Sequence, residues 1–347
     1  MSRIPITILT GFLGAGKTTF LNRLIADPAF QNTAVVINEF GEAGVDGALV
    51  AQSDERAFAM SVGCLCCTVS GDVRLTLLRL QDEAERGVGP VFDRVVIETT
   101  GLADPLPLLQ AFMTNDFLLS KFTLNGVITV VDAVNGEHCI THFPEAQRQV
   151  AVADLLLLTK TELAEEGAAH GELDRLKGVL SNRNPNARLF RAEDVTPEQV
   201  FSLAAFDPAG QPPDVSEWLR FEPSKSNGTD HHHHHDVNNH GDTASAFCFT
   251  AKDPIKPTAL ESAIRSLLIS TGSNLLRMKG LVELIGYPDA PCVVHVVGHV
   301  ISPMKLLGEW PEGIDQTRLV LIISGENRKD APQQLSQALP QLQPFNA

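Results

Sequence analysis

The segment Gly11-Phe-Leu-Gly-Ala-Gly-Lys17-Thr18-Thr19 constrains the fold of this chain more than any other feature. It matches the phosphate-binding pattern G-x-x-x-x-G-K-[ST], and it stands between an apolar run, Ile6–Thr10, and a helical pattern that starts at Lys17. Its glycines let the backbone bring N–H groups close to phosphate oxygens, and the following helix adds its partial positive charge. Lys17 is expected to contact the β- and γ-phosphates, and the Thr18 hydroxyl to ligate Mg²⁺. The pattern predicts that a nucleoside triphosphate is bound by Gly11, Gly14, Ala15, Gly16, Lys17, Thr18 and Thr19.

Apolar runs alternate with helical patterns through residue 206. Most of these runs are rich in Leu or β-branched residues and lack polar alternation, as in strands that are covered on both faces. The predicted strands are Ile6–Thr10, Ala34–Asn38, Arg94–Glu98, Gly126–Val131, Leu155–Thr159 and Arg188–Arg191. The predicted helices are Lys17–Ile25, Asp72–Glu85, Leu106–Phe112, Ala146–Ala153 and Glu172–Asn182. This order predicts the α/β class, with a doubly wound, mostly parallel sheet of the P-loop NTPase type.

The composition changes after residue 206 and divides the chain of 347 residues into two folded regions. Residues 207–244 are rich in Pro, Asp, Asn, Ser and Gly, which predicts a flexible linker. Beyond it, the predicted strands are Ala246–Ala251, Val282–Ile285, Val293–Val297 and Leu319–Ile323, and the predicted helices are Thr258–Ile269 and Ala331–Leu339. We therefore expect a phosphate-loop domain over residues 1–206 and a smaller carboxyl-terminal α+β domain over residues 245–347.

The charge of the chain narrows the range of its partners. With 27 Lys and Arg against 42 Asp and Glu, the formal net charge is −15. Nucleic acids and cytoplasmic membrane surfaces are anionic, so neither is expected as a partner. No apolar run reaches the roughly 18 residues of a membrane-spanning helix, and the first run is too short for a signal peptide. These features predict a cytoplasmic protein, and six cysteines are too few for a disulfide scaffold.

A candidate catalytic acid stands at the end of a predicted strand. The motif Glu98-Thr-Thr-Gly101 follows the apolar run that begins at Arg94. A carboxylate at this end of a strand, beside the phosphate loop, can associate with Mg²⁺, and the glycine N–H can reach the γ-phosphate. Glu98 is therefore assigned a catalytic role together with Lys17, and Gly101 is assigned to the nucleotide site. No Gln or Arg is assigned as the group that positions the attacking water.

A candidate base-recognition motif follows the predicted strand Leu155–Thr159. The tetrapeptide Thr159-Lys-Thr-Glu162 takes the place of the guanine motif N-K-x-D, in which the acid hydrogen-bonds the guanine edge and the lysine stem lies over the ring. Glu162 keeps the carboxylate of Asp but is longer, and Thr159 offers a hydroxyl where Asn offers an amide. Lys160 and Glu162 are expected to bind the base of the nucleotide.

Three of the six cysteines stand within four positions, at Cys64, Cys66 and Cys67. Thiolates are soft ligands that suit Zn²⁺, Cu⁺ or iron–sulfur clusters. Three thiols at this spacing cannot all face inward from a regular strand, which predicts that they lie on a loop. A tetrahedral site needs a further ligand, and the segment after the second predicted strand offers Glu39 and Glu42. Buried thiols packed as small hydrophobes, or a disulfide between two of the three, are the alternatives.

A run of five histidines, flanked by aspartates, falls in the predicted linker. Neutral imidazoles bind Zn²⁺, Co²⁺ or Ni²⁺, and a flexible tract binds them with little selectivity. An internal affinity tag and a low-complexity loop without function are the alternatives. The secondary metal-binding residues are predicted to be His231, His232, His233, His234 and His235.

Together these motifs resemble the CobW-type family of P-loop GTPases, whose relatives include the UreG and HypB nickel-insertion GTPases. The matching segments are Gly11–Thr19, Asn38–Glu42, Gly63–Cys67, Glu98–Pro105, Val130–Ala133, Thr159–Glu162 and, in the second domain, Leu275–Gly280. Members are regarded as metallochaperones, most clearly for zinc, with a cobalt branch tied to cobalamin synthesis. The resemblance implies that the transferred metal is bound by Cys64, Cys66 and Cys67, with Glu39 or Glu42 as an additional ligand.

The motifs and the resemblance predict a GTP-hydrolysing metallochaperone that uses GTP and Mg²⁺ and passes Zn²⁺, or Co²⁺, to a client metalloprotein. Metal would leave the cysteine loop when GTP is cleaved, because the γ-phosphate and Mg²⁺ order the switch loops of other GTPases. The second domain is expected to contact either the client or another subunit, and in the latter case the protein would be a homodimer. Cobalt delivery for cobalamin synthesis is the nearest alternative. The rivals of another class are a small-molecule kinase and a metal buffer built on the histidine run.

Overall fold

The amino-terminal part of the chain folds around one mostly parallel sheet. The computed structural model describes residues 3–38, 57–59, 65–69, 72–166, 171–203 and 244–345. In chain order the strands of this sheet are β1 (Ile4–Gly11), β2 (Thr33–Asn38), β3 (Ala57–Ala59), β4 (Leu65–Val69), β5 (Arg94–Thr99), β6 (Phe122–Asp132), β7 (Leu155–Thr159) and β8 (Arg188–Arg191). Their order in space is β3-β4-β2-β5-β1-β6-β7-β8, and every pair is parallel except β3 with β4. The predicted α/β class is confirmed.

Helices cover both faces of this sheet. They are α1 (Lys17–Ile25), α2 (Val73–Glu85), α3 (Leu106–Thr114), α4 (Asp116–Lys121), α5 (Gly136–His142), α6 (Pro144–Ala151), α7 (Thr161–Glu166), α8 (Glu172–Arg183) and α9 (Pro197–Phe201). Ile6 and Ile8 of β1 pack in one core with residues of α2 and α3, whereas Leu9 packs in another core with residues of α1. Because alternate residues of a strand face opposite sides, both faces of β1 are buried, which explains its continuous apolar run.

The predicted elements of this domain agree closely with the structure. The strands β7 and β8 have the predicted bounds, and α1 begins and ends at the predicted residues, Lys17 and Ile25. The strand β6 is longer than predicted, since it already begins at Phe122. The helices α4, α5, α7 and α9 are additions that the sequence pattern does not show. None exceeds 7 residues, which is too short for a helical period to be recognised.

The cysteine cluster lies in part on a strand, so the prediction of a loop is wrong for Cys66 and Cys67. Both belong to β4, where they are in register with Val35 and Val36 of β2. On its other side β4 pairs with β3. Paired neighbours on both sides can satisfy the backbone N–H and C=O groups of this segment, which favours an extended strand over a loop. Cys64 lies outside the described residues.

The carboxyl-terminal part folds around a second, antiparallel sheet. Its strands are β9 (Ser245–Ala251), β10 (Leu275–Leu284), β11 (Tyr287–Val297), β12 (Val300–Ile301), β13 (Lys305–Leu306), β14 (Thr317–Ile323) and β15 (Gln343–Pro344), and its helices are α10 (Pro257–Thr271) and α11 (Asp330–Ala338). The order in space is β12-β11-β10-β14-β9-β15, with β13 beside β11. Both helices pack their apolar residues into one core with this sheet. Within the described residues, no helix is both long and apolar enough to span a lipid bilayer.

Two strands of the second sheet are much longer than predicted: β11 begins at Tyr287 and not at Val293, and β10 differs most. The sequence predicts a strand only over Val282–Ile285, but β10 begins at Leu275. Arg277 and Lys279 interrupt the apolar run at its start, yet their side chains are only 5% and 3% exposed. Their partner is Asp154, 123 and 125 residues away in the first domain, so the local pattern gives no sign of their burial.

The two domains meet at a seam that we define by Asp154, Arg277, Lys279 and His295. Arg277 Nη2 and Lys279 Nζ donate to Asp154 Oδ1 at 2.8 and 2.5 Å, and Asp154 Oδ2 accepts the backbone N–H of Val127 at 2.9 Å. Burial acts to raise the pKa of Asp154, but the two cations outweigh it and lower the pKa to about 2. Burial lowers the pKa of Lys279 to about 8. Apolar residues of both sheets also pack together in one shared core.

Candidate nucleotide and metal site

The phosphate loop is held tightly between β1 and the neighbouring strand β6. Gly11 ends β1 with a φ of 144°, and a Cβ at this position would lie 2.3 Å from the carbonyl oxygen of Val130. Only glycine allows so close an approach of two backbones. Gly16 precedes α1 and gives it no side-chain cap, so the N–H groups of the first turn are left for other acceptors. Strand, loop and helix therefore have the arrangement that binds phosphate.

Lys17 is folded back onto its own loop. Its Nζ donates hydrogen bonds to the carbonyl oxygens of Gly11, at 2.8 Å, and of Phe12, at 3.2 Å. Burial lowers the pKa of the Lys17 amino group, and the Glu98 carboxylate opposes this shift. Because main-chain carbonyls are neutral, exchanging them for phosphate oxygens would give Lys17 stronger, charge-assisted hydrogen bonds.

Thr18, in the first turn of α1, is in direct contact with Glu98 of β5. Thr18 Oγ1 donates to Glu98 Oε1 at 2.7 Å, and Glu98 is buried. Beside them, Thr99 Oγ1 donates to Thr10 Oγ1 at 2.8 Å and joins β5 to β1. A hydroxyl and a carboxylate oxygen are hard ligands of the kind that Mg²⁺ takes together with waters and phosphate oxygens. The oxygen ligands of Thr18 and Glu98 therefore fit Mg²⁺, and these are the two residues that the sequence predicts for it.

Gly101 lies against the main chain of the phosphate loop. A Cβ at this position would lie 2.6 Å from the backbone nitrogen of Leu13, a clash that only glycine avoids. The turn that contains Gly101 is closed by the N–H of Ala103, which donates to the carbonyl oxygen of Thr100 at 3.1 Å. The residue predicted to reach the γ-phosphate is therefore adjacent to the loop predicted to hold the phosphates.

Lys160 reaches the phosphate loop from the end of β7. It has a left-handed backbone, with a φ of 56°, and its Nζ donates to the carbonyl oxygen of Gly14 at 3.0 Å and to Asp132 Oδ2 at 2.7 Å. Burial acts to raise the pKa of Asp132, but the hydrogen bond from Lys160 and those from backbone N–H groups outweigh it and lower the pKa. Asp132 is missing from the predicted site residues, although an acid directly after an apolar strand is the signal that identifies Glu98.

Thr159 connects the end of β7 with the phosphate loop. Its Oγ1 donates to the carbonyl oxygen of Ala15 at 2.7 Å. The hydroxyl that stands where the guanine motif has Asn is therefore used to hold the loop. Glu162 lies in the first turn of α7 and is exposed. Thr159 and Lys160, the latter predicted to bind the base, thus both contact the phosphate loop from the end of β7.

The structure describes the predicted metal site only in part. The strand β4, which carries Cys66 and Cys67, pairs with β2, and β2 pairs with β5, which carries Glu98. Within the described part of the chain, no three His, Cys, Asp or Glu residues come together as a metal site. The predicted ligands that lie outside the described residues are Cys64, Glu39, Glu42, His231, His232, His233, His234 and His235.

A glycine loop with a buried lysine, a threonine bonded to a carboxylate and a parallel sheet behind them define a P-loop nucleoside triphosphatase. The sequence matches two family models: "CobW/HypB/UreG, nucleotide-binding domain" over residues 5–191 and "Cobalamin synthesis protein cobW C-terminal domain" over residues 244–339. The chain belongs to the CobW/HypB/UreG family, and it is a GTPase of that family.

Relatives of this family resemble the chain over most of its length. It is 33% identical over 291 residues to the zinc chaperone YjiA of Escherichia coli (strain K12), a match that covers 83% of this chain and 85% of YjiA. It is 28% identical over 314 residues to the zinc chaperone CobW of a Sinorhizobium species, covering 82% of this chain and 83% of that protein. The crystal structure of Zn(II)-bound YjiA GTPase from E. coli matches with a TM-score of 0.72 at 28% identity, over 97% of this chain and 99% of that chain.

Proposed function

We propose that this protein is a GTP-hydrolysing metallochaperone that binds Zn²⁺ at Cys64, Cys66 and Cys67 and delivers it to a client metalloprotein. One observation carries the proposal: a single sheet joins the phosphate loop to the strand that contains Cys66 and Cys67. The cysteine strand β4 pairs with β2, β2 pairs with β5, and β5 pairs with the phosphate-loop strand β1. A rearrangement at the γ-phosphate would therefore act on the sheet that contains the metal-binding strand. Glu39 or Glu42 would supply a further ligand.

At the nucleotide site, Lys17 would exchange its carbonyl partners for the β- and γ-phosphates. Gly101 would donate its N–H to the γ-phosphate. Thr18 and Glu98 would hold Mg²⁺, which neutralises charge on the β- and γ-phosphate oxygens when bound. The remaining contacts to phosphate would come from the loop residues Gly11, Gly14, Ala15, Gly16 and Thr19.

Lys160 and Glu162 would select guanine. The Lys160 contact with Gly14 fixes the lysine stem beside the loop, and the exposed Glu162 carboxylate can accept hydrogen bonds from the guanine edge. We expect GTP to be hydrolysed in preference to ATP, and Glu162→Gln to lower this preference about tenfold, because one charged acceptor is lost. Glu165→Gln, on the same helix, serves as the control and should keep it. A wild-type preference for ATP would contradict the assignment.

Competitive titration with Zn²⁺, Co²⁺ and Ni²⁺, with and without GTP–Mg²⁺, tests the metal site. We expect one tight site that survives deletion of residues 230–240, disappears in Cys66→Ala and persists in Cys248→Ala, a half-buried thiol of β9. The names of the relatives favour Zn²⁺ as the cargo. Because intrinsic affinities place Zn²⁺ above Co²⁺, the change caused by GTP–Mg²⁺ distinguishes the two cargoes better than affinity does.

Two outcomes would contradict this proposal and indicate a different function. Loss of nearly all metal binding on deletion of residues 230–240 would indicate a metal buffer built on the histidine run. Phosphate transfer to an added metabolite, with no effect of metal on GTP hydrolysis, would indicate a small-molecule kinase. If metal changes the hydrolysis rate of the wild type and of the Cys64/Cys66/Cys67 triple Ala variant equally, the two sites are not coupled.

A further inference from the structure

Gln149 of α6 is a buried amide that holds the turn containing Gly101. It is 1% exposed, and its Nε2 donates to the carbonyl oxygens of Gly101 and Ala103, both at 3.1 Å. Both partners are acceptors only, so the amide nitrogen and not the oxygen must face them. The two N–H groups of a single side chain therefore bind two carbonyls of the turn that follows β5.

The helix that carries Gln149 is itself fixed to the sheet. Thr129 Oγ1 of β6 donates to the backbone carbonyl oxygen of Gln149 at 2.7 Å. The preceding residue, Arg148, pairs through Nη1 with Asp104 Oδ2 at 3.0 Å, so that α6 contacts the same turn at a second point. Gly101 itself lies against the backbone of Leu13 in the phosphate loop. The contacts with α6 therefore add to the covalent link with β5 in fixing the position of this turn relative to the phosphate loop.

We propose that Gln149 is a positioning residue for GTP hydrolysis, which holds the Gly101 N–H where the γ-phosphate develops charge. A donor fixed in advance stabilises a transition state more than one that must first be ordered. Lys17 and the loop amides bind the nucleotide without Gln149, so ground-state affinity should be independent of it. This inference rests on the proposed contact of Gly101 with the γ-phosphate.

The chain offers a matched control on the same helix. Gln147 is also buried, at 4% exposure, but its Oε1 accepts the backbone N–H of Ala244 at 3.1 Å, away from the turn. Single-turnover GTP hydrolysis, nucleotide affinity and thermal unfolding are measured for the wild type, Gln149→Met and Gln147→Met. We expect both variants to lower the melting temperature. Only Gln149→Met should lower the rate at saturating GTP, by about tenfold, with the affinities for GTP and GDP changed less than twofold.

Several results would overturn this role. They are a Gln149→Met rate within twofold of the wild type, an equal loss of rate in Gln147→Met, or a loss of affinity that matches the loss of rate. If Gln149→Met does not fold, Gln149→Asn and Gln147→Asn replace the pair, because a shortened amide stays polar but no longer reaches the turn. GTP hydrolysis by the wild type in the same assay distinguishes a failure of the proposed function from a failure of the role of Gln149. Absence of GTP hydrolysis there contradicts the proposed function, whereas normal hydrolysis with an unaffected Gln149 variant contradicts only the role of Gln149.

Discussion

Within the described residues, buried cations occur in two regions, the phosphate loop and the seam, and their partners differ. Lys17 donates to two main-chain carbonyls of its own loop. Arg277 and Lys279 donate to the carboxylate of Asp154, which is buried with them. Neutral carbonyls can be exchanged for phosphate oxygens with a gain in hydrogen-bond strength. A buried carboxylate cannot be removed from two cations without leaving charge unpaired, so the seam is a structural contact and the loop is a ligand site.

The largest effect that tests this difference is expected for Asp154→Asn. The variant leaves Arg277 and Lys279 buried without a counter-charge, which should lower the free energy of unfolding by about 3–5 kcal/mol. Urea denaturation at neutral pH measures it. Asp82→Asn is the control, because Asp82 pairs with Arg86 at 61% exposure and should contribute less than about 1 kcal/mol. A similar small change in both variants would show that the seam is not a stabilising contact.

A smaller effect of a different kind is expected for Lys17→Met. Loss of a charged donor to phosphate should weaken GTP binding about 100-fold. The free energy of unfolding without nucleotide should change by less than about 1 kcal/mol, because the cost of burying the Lys17 charge disappears together with its hydrogen bonds to neutral carbonyls. Titration with a fluorescent GTP analogue and urea denaturation measure the two quantities. A large loss of stability without nucleotide would show that Lys17 stabilises the fold as the seam residues do. It would contradict the proposed difference between the two regions.

The same difference explains which features could be predicted from the sequence. The phosphate loop is a local motif, and its strand and helix have local periods, so Lys17, Thr18 and the bounds of α1 follow from neighbouring residues. The seam is not local: Arg277 and Lys279 look like an interruption of an apolar run until Asp154 is placed beside them. Asp154 directly precedes the apolar strand β7, which hints at burial but does not identify a partner.

Two features of the site also cannot be predicted from local patterns, because they depend on residues that are distant in the sequence. The spacing of Cys66 and Cys67 predicts thiol chemistry, but the strand on which they lie exists because β2 and β3 flank it. Gln149 lies on the buried side of α6, three residues after Ala146 and next to Val150, which indicates a buried polar residue. The carbonyls that it binds belong to a turn 46 and 48 residues earlier, and only the fold brings them together.

The smallest expected effect concerns His295 and the pH dependence of the seam. His295 lies in β11, in register with Lys279, and is 3% exposed. Burial lowers its pKa well below the ordinary value of 6.5, Arg277 and Lys279 lower it further, and Asp154 opposes them. The unfolded chain therefore binds a proton at His295 more readily than the folded chain. As the pH falls below 6.5, the free energy of unfolding should decrease by up to about 1.4 kcal/mol per pH unit.

Denaturation between about pH 7 and pH 5, a range above the ordinary pKa of carboxyl groups, separates this contribution from that of Asp154. In His295→Gln the side chain stays polar but no longer titrates, so the decrease should nearly disappear. The matched control, His299→Gln, removes an exposed histidine of the following turn and should retain it. An unchanged pH dependence in His295→Gln would show that this histidine binds protons as readily in the folded protein as in the unfolded chain. Below pH 6.5 the seam would then hold the positive charges of Arg277, Lys279 and His295 against the single carboxylate of Asp154.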